Sequence, residues 1–383
     1  MPTKHHPLEE IAPATLVTAR EHLEEVVAEL RQEPRLAIDT ESNGFYAYQE
    51  KVCLFQISSA HADFIVDPIA ISDLSALGEL TADPHIEKIF HAGEYDVLCL
   101  KRDYGFTFAN LFDTMIAGRL LGAKELGLAA AIRGYFGVTL SKKLQRADWG
   151  LRPLSAAHLK YAQLDTHYLM HLTDILKAQL REKGREGDAA EACARLAKIE
   201  PVIRNFDPEG FWRLAGRNRL TDRQLACLRE IFLMRDKRAK SLDRAPFRIM
   251  SEELMIRLAA DMPNDSGSLA KVKGMTPYLL RKFGDALLES LARGRQAPPP
   301  VEPPRTSQRH SNKDRRIFEI LRRWRKEQAE HESVEPIVIL DTSSLHELAR
   351  AAAAGEPEPL AGLSDLKRQR YGEALLKLLR PKA

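Results

Sequence analysis

The run Arg35-Leu-Ala-Ile-Asp39-Thr-Glu41 ends an otherwise apolar segment with two carboxylates spaced two residues apart. A β-strand sends successive side chains to opposite faces, so Asp39 and Glu41 leave the same face. Like charges held that close repel, and burying them costs free energy unless a cation neutralises them. A hard divalent ion such as magnesium, which prefers oxygen ligands, suits the pair.

Two further segments offer companion groups. In Phe90-His-Ala-Gly-Glu-Tyr-Asp96 a short apolar run ends, a glycine allows a tight turn, and Asp96 falls in the first turn of the helix that follows. A carboxylate there also suits the helix dipole, so the position alone decides nothing. In Tyr161-Ala-Gln-Leu-Asp165 the phenol and the carboxylate stand four residues apart on one helix face. A phenol beside a metal-bound carboxylate can orient an attacking water and help remove its proton. The alternative for Tyr161 is an ordinary hydrogen bond.

The surrounding pattern is mixed. Strands are expected at residues 36–41, 52–58, 63–67 and 88–90, the first three as an antiparallel meander. Helices are expected at 18–31 and 93–104, after Asp113-Thr114, and as one long helix capped by Ser155 and running to about residue 181, with Leu154 and Leu159 as its staple. Beyond residue 210 only helices are expected, at 220–240, 251–260, 269–272 and 276–291. A stiff Ala297-Pro-Pro-Pro-Val-Glu-Pro-Pro304 linker and a basic helix at 313–330 follow. The last part repeats the one before it. Arg229–Arg235 resembles Ile317–Arg325, and Arg281-Lys-Phe-Gly-Asp-Ala-Leu-Leu288 matches Gln369-Arg-Tyr-Gly-Glu-Ala-Leu-Leu376.

At 383 residues, 44% hydrophobic and 29% charged, the chain has room for two or three domains with ordinary cores. No apolar run reaches the roughly 20 residues a membrane span needs, and the N-terminus, with its paired His5 and His6, has no secretory apolar core. The cysteines at 53, 99, 193 and 227 form no C-x-x-C pair, so no zinc ribbon or redox motif is expected, and the pattern points to a reducing, cytoplasmic setting. Residues 217–295 carry 17 Lys and Arg against 10 Asp and Glu, so a basic module sits beside a mildly acidic remainder. That asymmetry fits a nucleic-acid tether next to a metal enzyme, or a solvated helical surface.

The set Asp39, Glu41, Asp96, Tyr161 and Asp165 resembles the DEDDy family of 3′-5′ exonucleases, and within it the ribonuclease D type. The likeness covers roughly residues 15–180 and includes Phe90-His-Ala-Gly, Phe112-Asp-Thr-Met-Ile-Ala, Gln56, and Gln145-Arg-Ala-Asp-Trp-Gly-Leu-Arg-Pro-Leu154. The repeated tail modules resemble HRDC domains. The resemblance implies an α/β ribonuclease H-like domain at 1–206, a mixed sheet with flanking helices. Two small all-α HRDC-like domains would follow at 207–296 and 313–383, joined by a Pro-rich linker at 297–312. It implies that Asp39, Glu41, Asp96 and Asp165 hold two divalent ions, Mg²⁺ or Mn²⁺, and that Tyr161 handles the water. Asp39 would bridge both ions, Glu41 and Asp165 would complete one, and Asp96 would serve the other. Two ions about 3.5–4 Å apart can clamp the attacking and leaving oxygens at phosphorus.

For nucleic-acid contact the sequence offers His91, either at a phosphate or in a structural role, and Phe45 and Tyr46, with Tyr48, in the loop after the acidic strand, as stacking groups or as a local cluster. Lys271, Lys273, Arg281 and Lys282 surround a helix start capped by Thr276 and Pro277. Trp149 is expected to pack under the site or to stack on a base, and Asp113 to cap a helix. The expected activity is removal of nucleotides from RNA 3′ ends as 5′-monophosphates by a cytoplasmic monomer, with transfer-RNA precursors as substrate and no membrane contact. A DNA-directed repair or proofreading exonuclease and a catalytically silent nucleic-acid adaptor are the alternatives.

Overall fold

In the computed structural model, which describes residues 11–202, 205–216, 220–303 and 311–379, the acidic strand becomes an inner strand of a sheet. Among the described residues six strands form it: β1 (Thr15–Val17), β2 (Arg35–Ser42), β3 (Val52–Ser58), β4 (Asp63–Val66), β5 (Glu87–Phe90) and β6 (Leu111–Asp113), in the order β1-β4-β3-β2-β5-β6. β2, β3 and β4 pair antiparallel as the expected meander, while β5 and β6 add in parallel and β1 joins β4 in parallel. All of β3 is buried, which explains its almost unbroken apolar run.

Helices cover both faces: α1 (Arg20–Leu30), α2 (Ser75–Ala82), α3 (Glu94–Tyr104), α4 (Thr114–Leu120), α5 (Leu128–Phe136), α6 (Ala156–His167), α7 (Leu169–Glu182) and α8 (Glu186–Ala197). One core, around Phe55, Phe90 and Leu100, lies beneath α1, α2 and α3. A second, around Ile89, Phe112 and Leu172, lies beneath α4 and α7. Ser155 caps α6 through the His158 amide, as expected, but the long helix ends at Tyr168 and restarts as α7. The Tyr168 ring stacks on Phe136 and sits edge-on to His167, contacts that direct it into the core. Asp113 is the cap its position suggested, accepting from the Ile116 amide at 2.9 Å. Short β1 and helices α2, α5 and α8 were not expected.

The helical tail follows as α9 (Trp212–Ala215), α10 (Asp222–Ser241), α11 (Pro246–Ile249), α12 (Glu252–Asp261), α13 (Ser266–Lys271) and α14 (Pro277–Gln296), then α15 (Asn312–Glu332), α16 (Pro336–Ile339), α17 (Thr342–Ala354) and α18 (Asp365–Leu379). Each set closes its own core, around Ile231, Leu258 and Leu287 in the first and Leu321, Leu345 and Leu375 in the second. The repeat is structural. Arg235 of α10 donates to the carbonyl after α11, at Met250, and Arg325 of α15 donates to the carbonyl after α16, at Leu340. Residues 297–303 of the Pro-rich linker have no regular structure. The rest of its core, at 304–310, and the paired His5 and His6 lie outside the described residues.

Both helical modules touch the sheet unit. The first meets the loop after β2: the Ala245 amide donates to the Tyr46 carbonyl at 3.0 Å and the Tyr48 hydroxyl to Asp236 at 2.7 Å. The second meets α8: Lys367 donates to Asp188 at 3.0 Å, Arg370 pairs with the same carboxylate, and Ser364 donates to Glu191 at 2.6 Å.

Candidate active site

β2 carries Asp39 and Glu41 on one face, as the two-residue spacing required, and α6 crosses that face with Asp165. One carboxylate oxygen from each of the three lies within 4.8 Å of the others. Asp96 arrives by a different device. β5 pairs with β2 only over Arg35, Leu36 and Ala37, so the ladder edge beyond is open. The carboxylate of Asp96, in the first turn of α3, takes that edge, accepting from the Thr40 amide at 3.0 Å and from the Thr40 hydroxyl. It thus sits beside the three clustered acids. The turn that delivers it differs from expectation in one detail. The left-handed residue is Ala92 (φ 60°), whereas Gly93 is needed because a Cβ there would lie 2.5 Å from Phe90.

Electrostatics mark the group as short of positive charge. Burial, then the charges of Asp96, Asp165 and Glu41, push Asp39 well above the usual carboxylate range. Burial and the neighbouring Asp165 and Asp96 raise Glu41 to about 9. Burial and Asp96 raise Asp165 to about 7, and burial raises Asp96 to about 6 against the opposing hydrogen bonds from Thr40. Among the described residues no Lys, Arg or His is ion-paired with any of the four. Gln56 faces Asp39 across the β2–β3 ladder, and its buried amide finds no partner on either atom. Four acids held up by burial and by one another, with an orphaned amide on the same face, match the oxygen-rich donor set of a hard divalent ion.

Tyr161 sits one turn before Asp165 on α6. Burial and the three nearby carboxylates push its phenol upward, so it stays protonated. Its ring tilts against Trp149 at 5.8 Å, and His158 meets the other side of that indole. Trp149 is buried, so packing is its role and base stacking is excluded. The segment is pinned by Arg152, which grips the buried Asp67 with two hydrogen bonds of 2.6 and 2.7 Å and donates to the carbonyls of Trp149 and Cys53. The loop after Glu41 is tied to α3 by Glu50, which accepts from Ser42 at 2.8 Å and pairs with Arg102 and Tyr95.

The nucleic-acid residues expected from the sequence divide. His91 bonds Thr114 through Nδ1 at 2.9 Å, and burial holds its imidazole below the usual value. It lines a cavity of about 600 Å³ with Lys124, Tyr135 and Lys183, and none of the four acids lines that cavity. Tyr46 joins the first helical module through its carbonyl, which accepts from the Ala245 amide, and its ring, 3.9 Å from the Arg248 guanidinium, while its hydroxyl donates to the Arg146 carbonyl of the sheet unit at 2.8 Å. A stacking role for Tyr46 is thereby displaced by a domain contact, whereas Phe45 keeps an open face. Lys271, Lys273, Arg281 and Lys282 are all exposed around the α13–α14 turn, where Thr276 caps the Leu279 amide at 3.2 Å. The sequence reading missed a cavity of about 370 Å³ adjoining the acids, lined by Leu140, Lys143, Leu144, Lys160, Tyr161 and Asp165.

Comparison with known proteins agrees with this architecture. The 3′-5′ exonuclease family model matches residues 14–181, and the HRDC domain model matches 224–291 and 314–379. The chain is 29% identical to the ribonuclease D of Gluconacetobacter diazotrophicus, covering 95% of this chain and 92% of that protein. The crystal structure of the catalytic core of RRP6 from Trypanosoma brucei superposes with a TM-score of 0.69 at 32% identity, covering 75% of this chain and 82% of that one. That of Escherichia coli RNase D, an exoribonuclease involved in structured RNA processing, superposes with a TM-score of 0.66 at 25% identity, covering 96% and 99%. The chain spans only 31% to 49% of the length of the eukaryotic exosome component 10 and RRP6-like proteins it also matches.

Proposed function

The chain belongs to the 3′-5′ exonuclease family of ribonuclease D type, an exonuclease domain followed by two HRDC domains, and from that premise we propose that it hydrolyses RNA from the 3′ end, releasing nucleoside 5′-monophosphates. The observation that carries the proposal is the trio of carboxylates whose oxygens lie within 4.8 Å of one another, with a fourth acid beside them and no cation among the described residues to neutralise them.

Asp39, Glu41 and Asp165 would hold one divalent ion, with Asp39 also reaching a second that Asp96 serves. When bound, Mg²⁺ or Mn²⁺ supplies the positive charge that stabilises the attacking and leaving oxygens at phosphorus. The protein's own task is then positioning. Asp96 is fixed against the β2 backbone by Thr40. Tyr161, protonated and steadied by Trp149, orients the incoming water through its phenol. The apolar cavity beside Tyr161 and Asp165 suits a terminal nucleoside, with Lys143 and Lys160 at hand for its phosphates. Lys271, Lys273, Arg281 and Lys282 would draw the strand in from the first module.

We take residues 1–206 as the catalytic domain and 207–296 and 313–383 as the two modules, joined by 297–312. A monomer in the cytoplasm, acting on transfer-RNA precursors, fits the four free buried cysteines and the RNA substrates of the relatives named above; no described helix is long and apolar enough to cross a membrane. The direct experiment is incubation with a 3′-extended transfer RNA and Mg²⁺. Shortening from the 3′ end that a chelator stops, and that Asp39→Asn abolishes, is the expected result; wild-type turnover in that variant refutes the role of Asp39. Matched RNA and DNA single strands, degraded side by side, separate this reading from a DNA-directed exonuclease. Calorimetry of Mn²⁺ binding gives a readout apart from activity. Acids held at about 6, 7 and 9 are partly protonated at pH 7, so binding should release protons there.

A further inference from the structure

Phe45, from the loop after β2, and Phe247, from α11 of the first helical module, meet edge to face with ring centres 6.4 Å apart. A contact made only to join two domains would bury both rings. Instead Phe45 is 49% and Phe247 54% exposed, and Tyr278, in the first turn of α14, is 49% exposed. Large aromatic faces left open beside a domain junction mark a binding surface.

The charges beside these rings say what it binds. The Arg146 guanidinium lies 5.8 Å from the Phe45 ring centre. Lys282 donates to the Tyr278 hydroxyl at 3.0 Å and sits 5.4 Å from its ring centre. With Arg244 it holds that phenol below its usual value. No described acid pairs with Arg146, Arg244 or Lys282. Open rings alternating with unneutralised cations complement a strand whose bases expose flat faces and whose backbone is anionic. A duplex hides its base faces, and an acidic peptide offers no flat rings to stack.

We propose that Phe45, Phe247 and Tyr278 form a stacking track for unpaired bases upstream of the RNA 3′ end, with Arg146, Arg244 and Lys282 along its phosphates. The inference rests on the 3′-exonuclease reading and adds to it where the strand lies and why it must be single. Two units build the track, so it is complete only while the Ala245 amide, Arg248 and Asp236 hold the loop that carries Phe45. It starts four residues beyond Glu41 and leads to the basic start of α14, so a substrate needs an unpaired tail long enough to span both.

The test uses the full chain with cleavage blocked by Asp39→Asn. Binding of a fluorescent 12-nucleotide single-stranded RNA is compared with that of a blunt duplex of the same sequence. Phe247→Leu and Tyr278→Leu keep apolar bulk and remove the flat face. Each should weaken single-strand binding about tenfold, the size expected for one stacked base, and leave duplex binding within twofold. Tyr278→Phe, which keeps the face, should bind as the parent does. Lys282→Gln should shallow the salt dependence by roughly 0.7 in log–log slope, the effect of one phosphate on a single strand. Single-strand affinities within twofold of the parent for both leucine variants, or equal losses on strand and duplex, overturn the track. Shortening of the same single-stranded RNA by the wild-type protein with Mg²⁺ is measured alongside. Shortening together with unaltered strand affinity refutes the track alone, whereas no shortening refutes the nuclease reading beneath it.

Discussion

The two helical modules share a motif and use it in opposite ways. Lys282 and Arg370 hold the same place in the repeated aromatic-Gly-acid-Ala-Leu-Leu segment. Lys282 lies at the surface beside Tyr278. Arg370 is turned onto Asp188 of α8, a buried carboxylate that also receives Lys367 and lies 3.5 Å from Arg185. Phe283, beside Lys282, is plain core, while its counterpart Tyr371 donates to Glu332, which in turn pairs with Arg185. One module leaves Lys282 at its surface, and the other commits Lys367 and Arg370 to an ionic joint with α8. A conserved helical frame thus leaves function to a few side chains at its rim.

The hardest blow to this contrast should be Asp188→Ala. Removing the acid leaves the buried Lys367 ammonium with only the Val338 carbonyl, at a cost of about 3–5 kcal/mol. The midpoint of urea unfolding, or an early transition confined to the second module, should report it; an unchanged curve means the joint is not what holds that module. Next comes a pair of glycines. A Cβ on Gly294 would meet the Cα of Cys227 at 2.5 Å, whereas one on Gly372 would meet only the tip of Leu360 at 3.7 Å. Gly294→Ala should therefore cost about 1–3 kcal/mol through overpacking of α10 against α14, and Gly372→Ala should be neutral or gain up to about 1 kcal/mol from helix propensity. Equal losses would mean that α14 does not press on α10 at Cys227.

A smaller effect compares the matched cations directly. Arg370→Gln should lower the unfolding midpoint, and Lys282→Gln should leave it in place; the reverse order would invert the assignment of joint and free surface. The subtlest contrast is in pH. Lys367 and Arg370 hold Asp188 below the ordinary carboxylate range despite its burial. The second joint is therefore at full strength above about pH 4 and weakens as pH falls through the lowered value. Burial and Asp236 push Tyr48, at the first joint, up to about 12. That contribution is whole below about pH 10 and fades as pH rises toward 12. Small-angle scattering should show expansion at both extremes, with acid expansion abolished when the second module is deleted.

Much of the site could be read from the chain because its geometry is local. Asp39 and Glu41 obey the period of a strand, Tyr161 and Asp165 the period of a helix, and Asp96 the position of a first turn. What joins them is not local, and the open edge at Thr40 follows from where β5 stops pairing, which no motif records. Tyr46 and Tyr48 look like binding aromatics until Ala245 and Asp236, far along the chain, are seen to claim them. Nothing near Asp188 in the sequence marks it as buried, because the cations that pair with it lie in the last module. The break at Tyr168 escaped notice for the same reason, since its cause is the distant Phe136. The short β1 has too few residues to carry a period at all.

The early end of β5 has one more consequence. The Thr40 amide has two possible suitors, a carbonyl from a longer β5 or the carboxylate of Asp96, and it can satisfy only one. Continuing the parallel ladder by two or three residues would make a tidier, better-zipped sheet and would evict the fourth acid from its seat. Architecture and chemistry here compete for a single proton donor, and the sheet has been left deliberately unfinished at the place where the acid needs it.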